Sequence, residues 1–251
     1  MTALTVLTPH AAAIIEIVAA SLNNKSLNTS LQEQLDRITQ NTRALVQPER
    51  LAFSERMIAE LFATGIEDRA LQPGSTAPSF SLQDGHTSRN VSSADLLALG
   101  PLVISFFRGR WDPYCVTELE AWRDLHSEIR SRNALFVAIS PQTTRQNAFA
   151  IDQHGLHFPM LADPGCAVAA QFGLAHTVSA EHRLYFQSIL VNIPFNNAGL
   201  NYQNATEESW RLPLPATYIV RPDSTIAFAQ AHADHRVRTE PSEVLAALDG
   251  L

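Results

Sequence analysis

Apolar residues recur every three or four positions in the first quarter of the chain and then switch to short continuous runs. The first part reads as helix. Ser30 followed by Glu33 forms a capping box and predicts a helix running to about Val46. Pro48 opens a second helix ending near Gly65, with Leu51, Met57, Ile58, Leu61 and Phe62 at helical spacing. Residues 11–22 are also apolar; they lack a basic leader and contain Glu16, so a short amphipathic helix is expected there rather than a signal peptide. Residues 1–72 are thus expected to be a helical extension. It would pack on the main domain as a hairpin or serve as a dimerisation arm, and the pattern suits both.

From Ser79 the signals become strand and turn. Residues 79–82 and 86–91 flank Asp84-Gly85, a hairpin signal, and Ser92-Ser93 then caps a short helix closed by Gly100. Apolar runs at 102–107 and 134–140 predict covered strands, each followed by a helical pattern: Leu119, Trp122, Leu125 and Ile129 after the first, residues 143–154 after the second. A short strand at 158–161 leads to Asp163-Pro164-Gly165-Cys166 and another helix. This rhythm predicts right-handed βαβ units around a largely parallel sheet. Residues 177–212 break it with a helix over 180–191 and an Asn- and Gly-rich loop, expected to act as a lid or rim. Residues 215–220 and 225–230 predict a terminal hairpin, and 241–248 a closing helix.

Composition narrows the possibilities. A chain of 251 residues with 45% apolar and 17% charged residues can bury a full core. A net charge of −7 gives no basic footprint, so no nucleic-acid partner is expected. No apolar run reaches the ~18 residues a membrane span needs, so no membrane association is expected. Two cysteines are too few for a disulfide scaffold and suit a reducing, cytoplasmic setting. His232-x-Asp234-His235 lacks a third nearby metal ligand and reads as a solvated loop; no metal and no cofactor are expected.

The chemistry is expected where the central strand turns into its helix. Asp112 is a good N-cap and Pro113 a good first residue, which puts Cys115 at the third helical position. Free backbone N–H groups and the helix dipole favour a thiolate there. An ionised Asp112 opposes it by like-charge repulsion.

Phe107, Arg108, Gly109, Trp111, Pro113, Tyr114 and Cys115 resemble the active-site segment of the thioredoxin superfamily. More closely, they are similar to the peroxiredoxin-like branch of the AhpC/TSA family, which often reads Phe-Tyr-Arg-Gly-x-Trp-Cys-Pro-Tyr-Cys. Thr117-Glu118 resembles the residues that follow the peroxidatic cysteine, and residues 65–80 resemble the branch's opening segment. The resemblance implies a thioredoxin-like α/β domain over 73–251, with a central mixed sheet flanked by helices and residues 1–72 as the extension. It also implies a thiol-dependent peroxidase: Cys115 attacks a hydroperoxide, becomes a sulfenic acid and is recycled by an external thiol, thioredoxin-like or of low molecular weight. Asp112 would be cap and modulator, Thr117 and Glu118 would support the first turn, and Arg108 would supply positive charge, with Arg110 and Arg211 as substitutes. Trp111, Pro113, Tyr114 and Pro215 would line the site, Pro215 as the fold's cis-proline.

Two departures matter. Asp112 replaces the first cysteine of the usual Cys-x-x-Cys pair, which excludes dithiol exchange at this site, and Pro215 replaces an arginine that typical peroxiredoxins bring to the cysteine. Cys166 is a candidate resolving cysteine, and a homodimer is a candidate assembly. The alternative is a non-catalytic thioredoxin-fold binding or redox-sensing protein. A Cys115 sulfur sealed in hydrocarbon with no donor aimed at it would favour that alternative.

Overall fold

In a computed structural model the described residues are 29–251; the helix read from residues 11–22 lies outside them. The two leading helices are α1 (Leu31–Leu45) and α2 (Pro48–Ala63). The Ser30 hydroxyl accepts from the Glu33 amide, and the Glu33 carboxylate accepts from the Ser30 amide, both at 3.1 Å. Glu240, far along the chain, accepts from the amides of Leu31 and Gln32. A carboxylate on free helix N–H groups ties the start of α1 to the C-terminal segment. Leu31, Leu35 and Ile38 then pack on Tyr114 and Ala121. In α2 no residue is fully buried, and Phe62 is 64% exposed. Phe62 directly follows the inward Leu61, which turns it about 100° away around the helix.

Strands β1 (Ser81–Asp84) and β2 (Asn90–Ser92) form the first hairpin, and Ser92 caps α3 (Ser93–Leu97). The central units follow as β3 (Leu102–Phe106), α4 (Pro113–Ser131), β4 (Leu135–Ser140), α5 (Thr144–His154), β5 (Met160–Ala162) and α6 (Ala167–Gln171). After them come β6 (Ala175–Thr177), α7 (Ala180–Ser188), α8 (Ile193–Ala198), β7 (Arg211–Pro213), β8 (Ala216–Val220), β9 (Ile226–Ala231) and α9 (Pro241–Asp249).

The main sheet runs β2-β1-β5-β4-β3-β8-β9. Only β3–β4 and β4–β5 pair in parallel, so the sheet is mixed, as the resemblance implied, and not largely parallel as the βαβ rhythm suggested. Its two ends are hairpins whose short turns impose antiparallel pairing, β1–β2 and β8–β9. The stretch 177–212 is more ordered than its Asn and Gly content suggested. Asn192 caps α8 by accepting from the Phe195 amide, Gly199 ends it in the left-handed conformation, and β7 pairs with β6 in a second small sheet. Residues that read as loop formers are helix caps.

Alternation along the strands sorts the core onto two faces. Ile104, Phe106, Val137 and Ile139 pack with Phe172, Tyr218 and Cys166. On the other face, Val103, Phe136, Ala138 and Ile219 pack with Cys115, Leu119 and Trp122 of α4 and with Val244 of α9. Among the described residues no helix is long and apolar enough to cross a membrane.

Candidate active site

The turn between β3 and α4 is shaped by its neighbours. Gly109 has φ of +151°, and a Cβ there would meet Trp111 Nε1 at 2.5 Å and Gln142 Oε1 at 2.8 Å. No residue with a side chain fits while Trp111 folds back this closely. Asp112 caps α4, its Oδ1 accepting from the Tyr114 amide at 3.0 Å. Its Oδ2 lies 3.2 Å from the Arg108 guanidinium, both groups buried. Pro113 takes the first helical position and Cys115 the third.

Cys115 has no exposed surface, yet two donors converge on it. The Arg108 amide donates to Sγ at 3.4 Å and Nη2 of Arg238 at 3.3 Å. Arg238 arrives from the loop before α9. Its Nε donates to Glu118 Oε2 at 2.6 Å, and its Nη1 donates to the carbonyls of Val237 and His235. The other Glu118 oxygen accepts from the Ser105 hydroxyl at 3.1 Å and from Trp122 Nε1 at 3.3 Å. A buried carboxylate with this many donors holds a buried guanidinium in place.

Complete burial pushes the Cys115 thiol up to about 12, and Asp112 and Glu118 push the same way. Arg238 and Arg108 pull downward without overcoming them. The helix terminus and Arg238, whose charge is shared with Glu118, do not replace the lost water. The closed site therefore stores a neutral thiol rather than the thiolate expected from helix position alone.

Of the residues singled out by sequence, Cys115, Asp112, Glu118 and Arg108 come together. Arg108 reaches the sulfur through its backbone N–H; its guanidinium faces Asp112 and lies 4.9 Å from the Trp111 ring. Arg110 is turned to Gln146 and Arg211 to the carbonyl of Gly165, so neither substitutes. Thr117 donates to the Pro113 carbonyl at 3.0 Å, bracing the first turn. Trp111, Pro113, Tyr114 and Pro215 line a cavity of about 410 Å³ beside the turn. Pro215 follows a trans peptide bond, as every described residue does, in place of the cis bond that the resemblance implied. Trans is the intrinsic preference, and the chain passes here almost directly from β7 into β8. His235 belongs to no solvated loop: its ring packs edge-on against Tyr114 and faces the cavity.

Cys166 does not join Cys115. The two sit in separate cores on opposite faces of the sheet, both as free thiols. The Asp163 carboxylate accepts from the amides of Val168 and Ala169, so the second Asp-Pro-x-Cys serves to start α6.

Sequence reasoning missed Arg238, since a single arginine in a polar loop carries no local signal. Ser105 was a usable one: a hydroxyl amid the apolar run Leu-Val-Ile-Ser-Phe-Phe needs a buried partner. That partner, Glu118, leads to Arg238.

A Mycobacterium tuberculosis protein named as a peroxiredoxin is 34% identical over 105 residues, covering 41% of this chain and 67% of its own length. The Haemophilus influenzae peroxiredoxin bcp is 30% identical over 123 residues, 46% of this chain and 78% of its own. The crystal structure of the M. tuberculosis peroxidoxin BcpB superposes with a TM-score of 0.54 at 23% identity, covering 72% of this chain and 98% of that one. Residues 73–229, more than half of the chain, match the AhpC/TSA family, and the chain belongs to that family.

Proposed function

We propose that the protein is a thiol-dependent peroxidase in which Cys115 is the nucleophile and Arg238 the charge that holds it. The observation that carries this reading is the convergence of two N–H donors, one from a buried guanidinium, on a lone cysteine at the third position of α4. Such donors stabilise a thiolate once water or peroxide reaches the sulfur, and then stabilise the developing charge on the departing oxygen.

The reaction balances as a two-electron transfer. The Cys115 sulfur attacks the terminal oxygen of a hydroperoxide, an S–O bond forms and the O–O bond breaks. The thiol proton goes to the departing alkoxide, leaving Cys115 as a sulfenic acid and the substrate as an alcohol. An external thiol condenses with the sulfenic acid and releases water; a second thiol then frees Cys115 as a disulfide of the reductant. The reductant comes from outside because Cys166 lies across the sheet. The two unpaired thiols suit a reducing compartment such as the cytoplasm.

Asp112 caps the helix and neutralises Arg108, while Glu118, Ser105 and Trp122 position Arg238. Since Cys115 is fully buried, each turnover requires the short segment around Arg108 and Asp112 to yield. The test is one equivalent of hydroperoxide followed by a sulfenate-trapping dione and mass spectrometry. A single adduct on Cys115, with steady peroxide loss when a thiol reductant is present, is expected. Unmodified Cys115 and no consumption would refute the proposal.

A further inference from the structure

Arg238 reaches Cys115 from residues 232–240, a loop between β9 and α9 that belongs to neither element. Its fastenings run to the two leading helices. The Arg236 guanidinium donates through both Nη atoms to the two oxygens of Glu55 on α2, at 2.7 and 3.0 Å. Gln32 on α1 holds the backbone on either side of Val237: its Nε2 donates to the Arg236 carbonyl and its Oε1 accepts from the Arg238 amide, both at 3.4 Å. Glu240 closes the loop on the amides of Leu31 and Gln32, at 3.1 and 2.6 Å. Helix α1 also packs on α4, through Leu31 and Leu35 against Tyr114, the neighbour of Cys115. One helix thus touches both the element that carries the sulfur and the loop that carries the guanidinium.

The fastening by Glu55 differs in kind from the ion pair inside the site. The side chains of Arg238 and Glu118 are 1% and 0% exposed, those of Arg236 and Glu55 19% and 39%. Without Glu55, Arg236 keeps Asp234, which accepts from its Nε at 2.9 Å and its Nη2 at 2.8 Å, so no buried charge is stranded. A partly exposed pair of this kind contributes little to folding. What its loss removes is the hold on the loop. Hydrogen bonds weaken steeply with misalignment, so a small displacement of the loop is enough to take Arg238 Nη2 off the sulfur. We propose that Glu55 and Gln32 are positioning residues for the peroxidase: the two leading helices hold the 232–240 loop where Arg238 donates to Cys115. The proposal rests on the peroxidase reading and adds the part of the chain that tunes it.

The test compares the full-length wild type with Glu55→Ala, Glu55→Gln and Gln32→Ala, each checked by far-UV circular dichroism at the assay temperature. With thiol reductant in excess, kcat/KM for hydrogen peroxide is expected to fall about tenfold in Glu55→Ala, the size of one charge-assisted contact. Glu55→Gln, which keeps an acceptor without its charge, and Gln32→Ala are expected to fall about threefold. The kcat/KM for the reductant should stay within about twofold in all three. Salt gives a second readout: raising NaCl from about 0.1 to 1 M shortens the screening length from about 10 to 3 Å. The wild-type rate is expected to fall with it and the Glu55→Ala rate to stay level, because the buried Arg238–Glu118 pair is shielded from salt. Folded variants with wild-type kcat/KM, a loss that merely tracks the folded fraction, or equal salt dependence in wild type and Glu55→Ala overturns the positioning role and leaves the peroxidase standing. No peroxide consumption by the wild type overturns the peroxidase reading itself, and this proposal with it.

Discussion

Asp112-Pro113-Tyr114-Cys115 and Asp163-Pro164-Gly165-Cys166 are the same phrase written twice, each after one of the parallel strands β3 and β5. Both aspartates cap a helix and both sulfurs are fully buried. The surroundings differ. Cys115 sits at the third position of a 19-residue helix with two N–H donors on its sulfur. Cys166 lies in a left-handed kink, with φ of +57°, before a five-residue helix. Burial and Asp163 push its thiol well up, opposed only by the charge of Arg211. A cysteine at a helix start is therefore common material. What sets Cys115 apart, and what the proposed peroxidase reading rests on, is an organised cation brought from a separate part of the chain.

Removing the sulfurs one at a time is the sharpest way to break this comparison. Cys115→Ser is expected to lower peroxide consumption at least a thousandfold, and Cys166→Ala to leave it within about twofold, measured with a thiol reductant in excess. Comparable losses in both variants would erase the distinction.

The arginine comes next. Arg238→Ala leaves the Glu118 carboxylate buried and unpaired, a loss of roughly 3–5 kcal/mol in urea unfolding. Replacing both partners by apolar residues, Arg238→Met with Glu118→Leu, should recover most of that stability without restoring activity. Recovery of both would mean that the arginine is structural.

A smaller effect is expected with pH. The folded Cys115 keeps its proton to about 12, while in the unfolded chain it ionises near the ordinary 9.0. The unfolded state therefore loses protons first, and this contribution to stability is complete below pH 9 and disappears toward pH 12. Urea midpoints at pH 8 and pH 10 should fall further for the wild type than for Cys115→Ala. An equal fall would place the titration elsewhere.

The smallest change concerns the brace that α1 lays on this site. The Tyr114 hydroxyl is 3.0 Å from that of Thr39. Tyr114→Phe should cost about 1 kcal/mol in thermal or urea unfolding, with Cys115 more readily alkylated; no change in alkylation rate would separate α1 from the active turn.

Much of this was legible in the sequence. The Ser30–Glu33 capping box, the Asp112 cap, the Asp84-Gly85 hairpin and the apolar runs of β3 and β4 all rest on interactions within a few residues, so local pattern suffices for them. Asn192 and Gly199 were misread because the same residue types build loops and helix caps. Arg238 was invisible, and so was the role of His235 in the cavity wall.

The sequence by itself determined most element types and the placing of Cys115 at the start of α4 through short-range geometry, and its motifs carried the resemblance to the family that residues 73–229 match. Tertiary structure alone decided which cysteine receives a cation, which face of the sheet each occupies and how dry each sulfur is. Arg238 lies 123 residues from Cys115 and 120 from Glu118. Contacts at such separations follow from how the sheet and its helices close on one another, and burial is a property of that closure rather than of any segment.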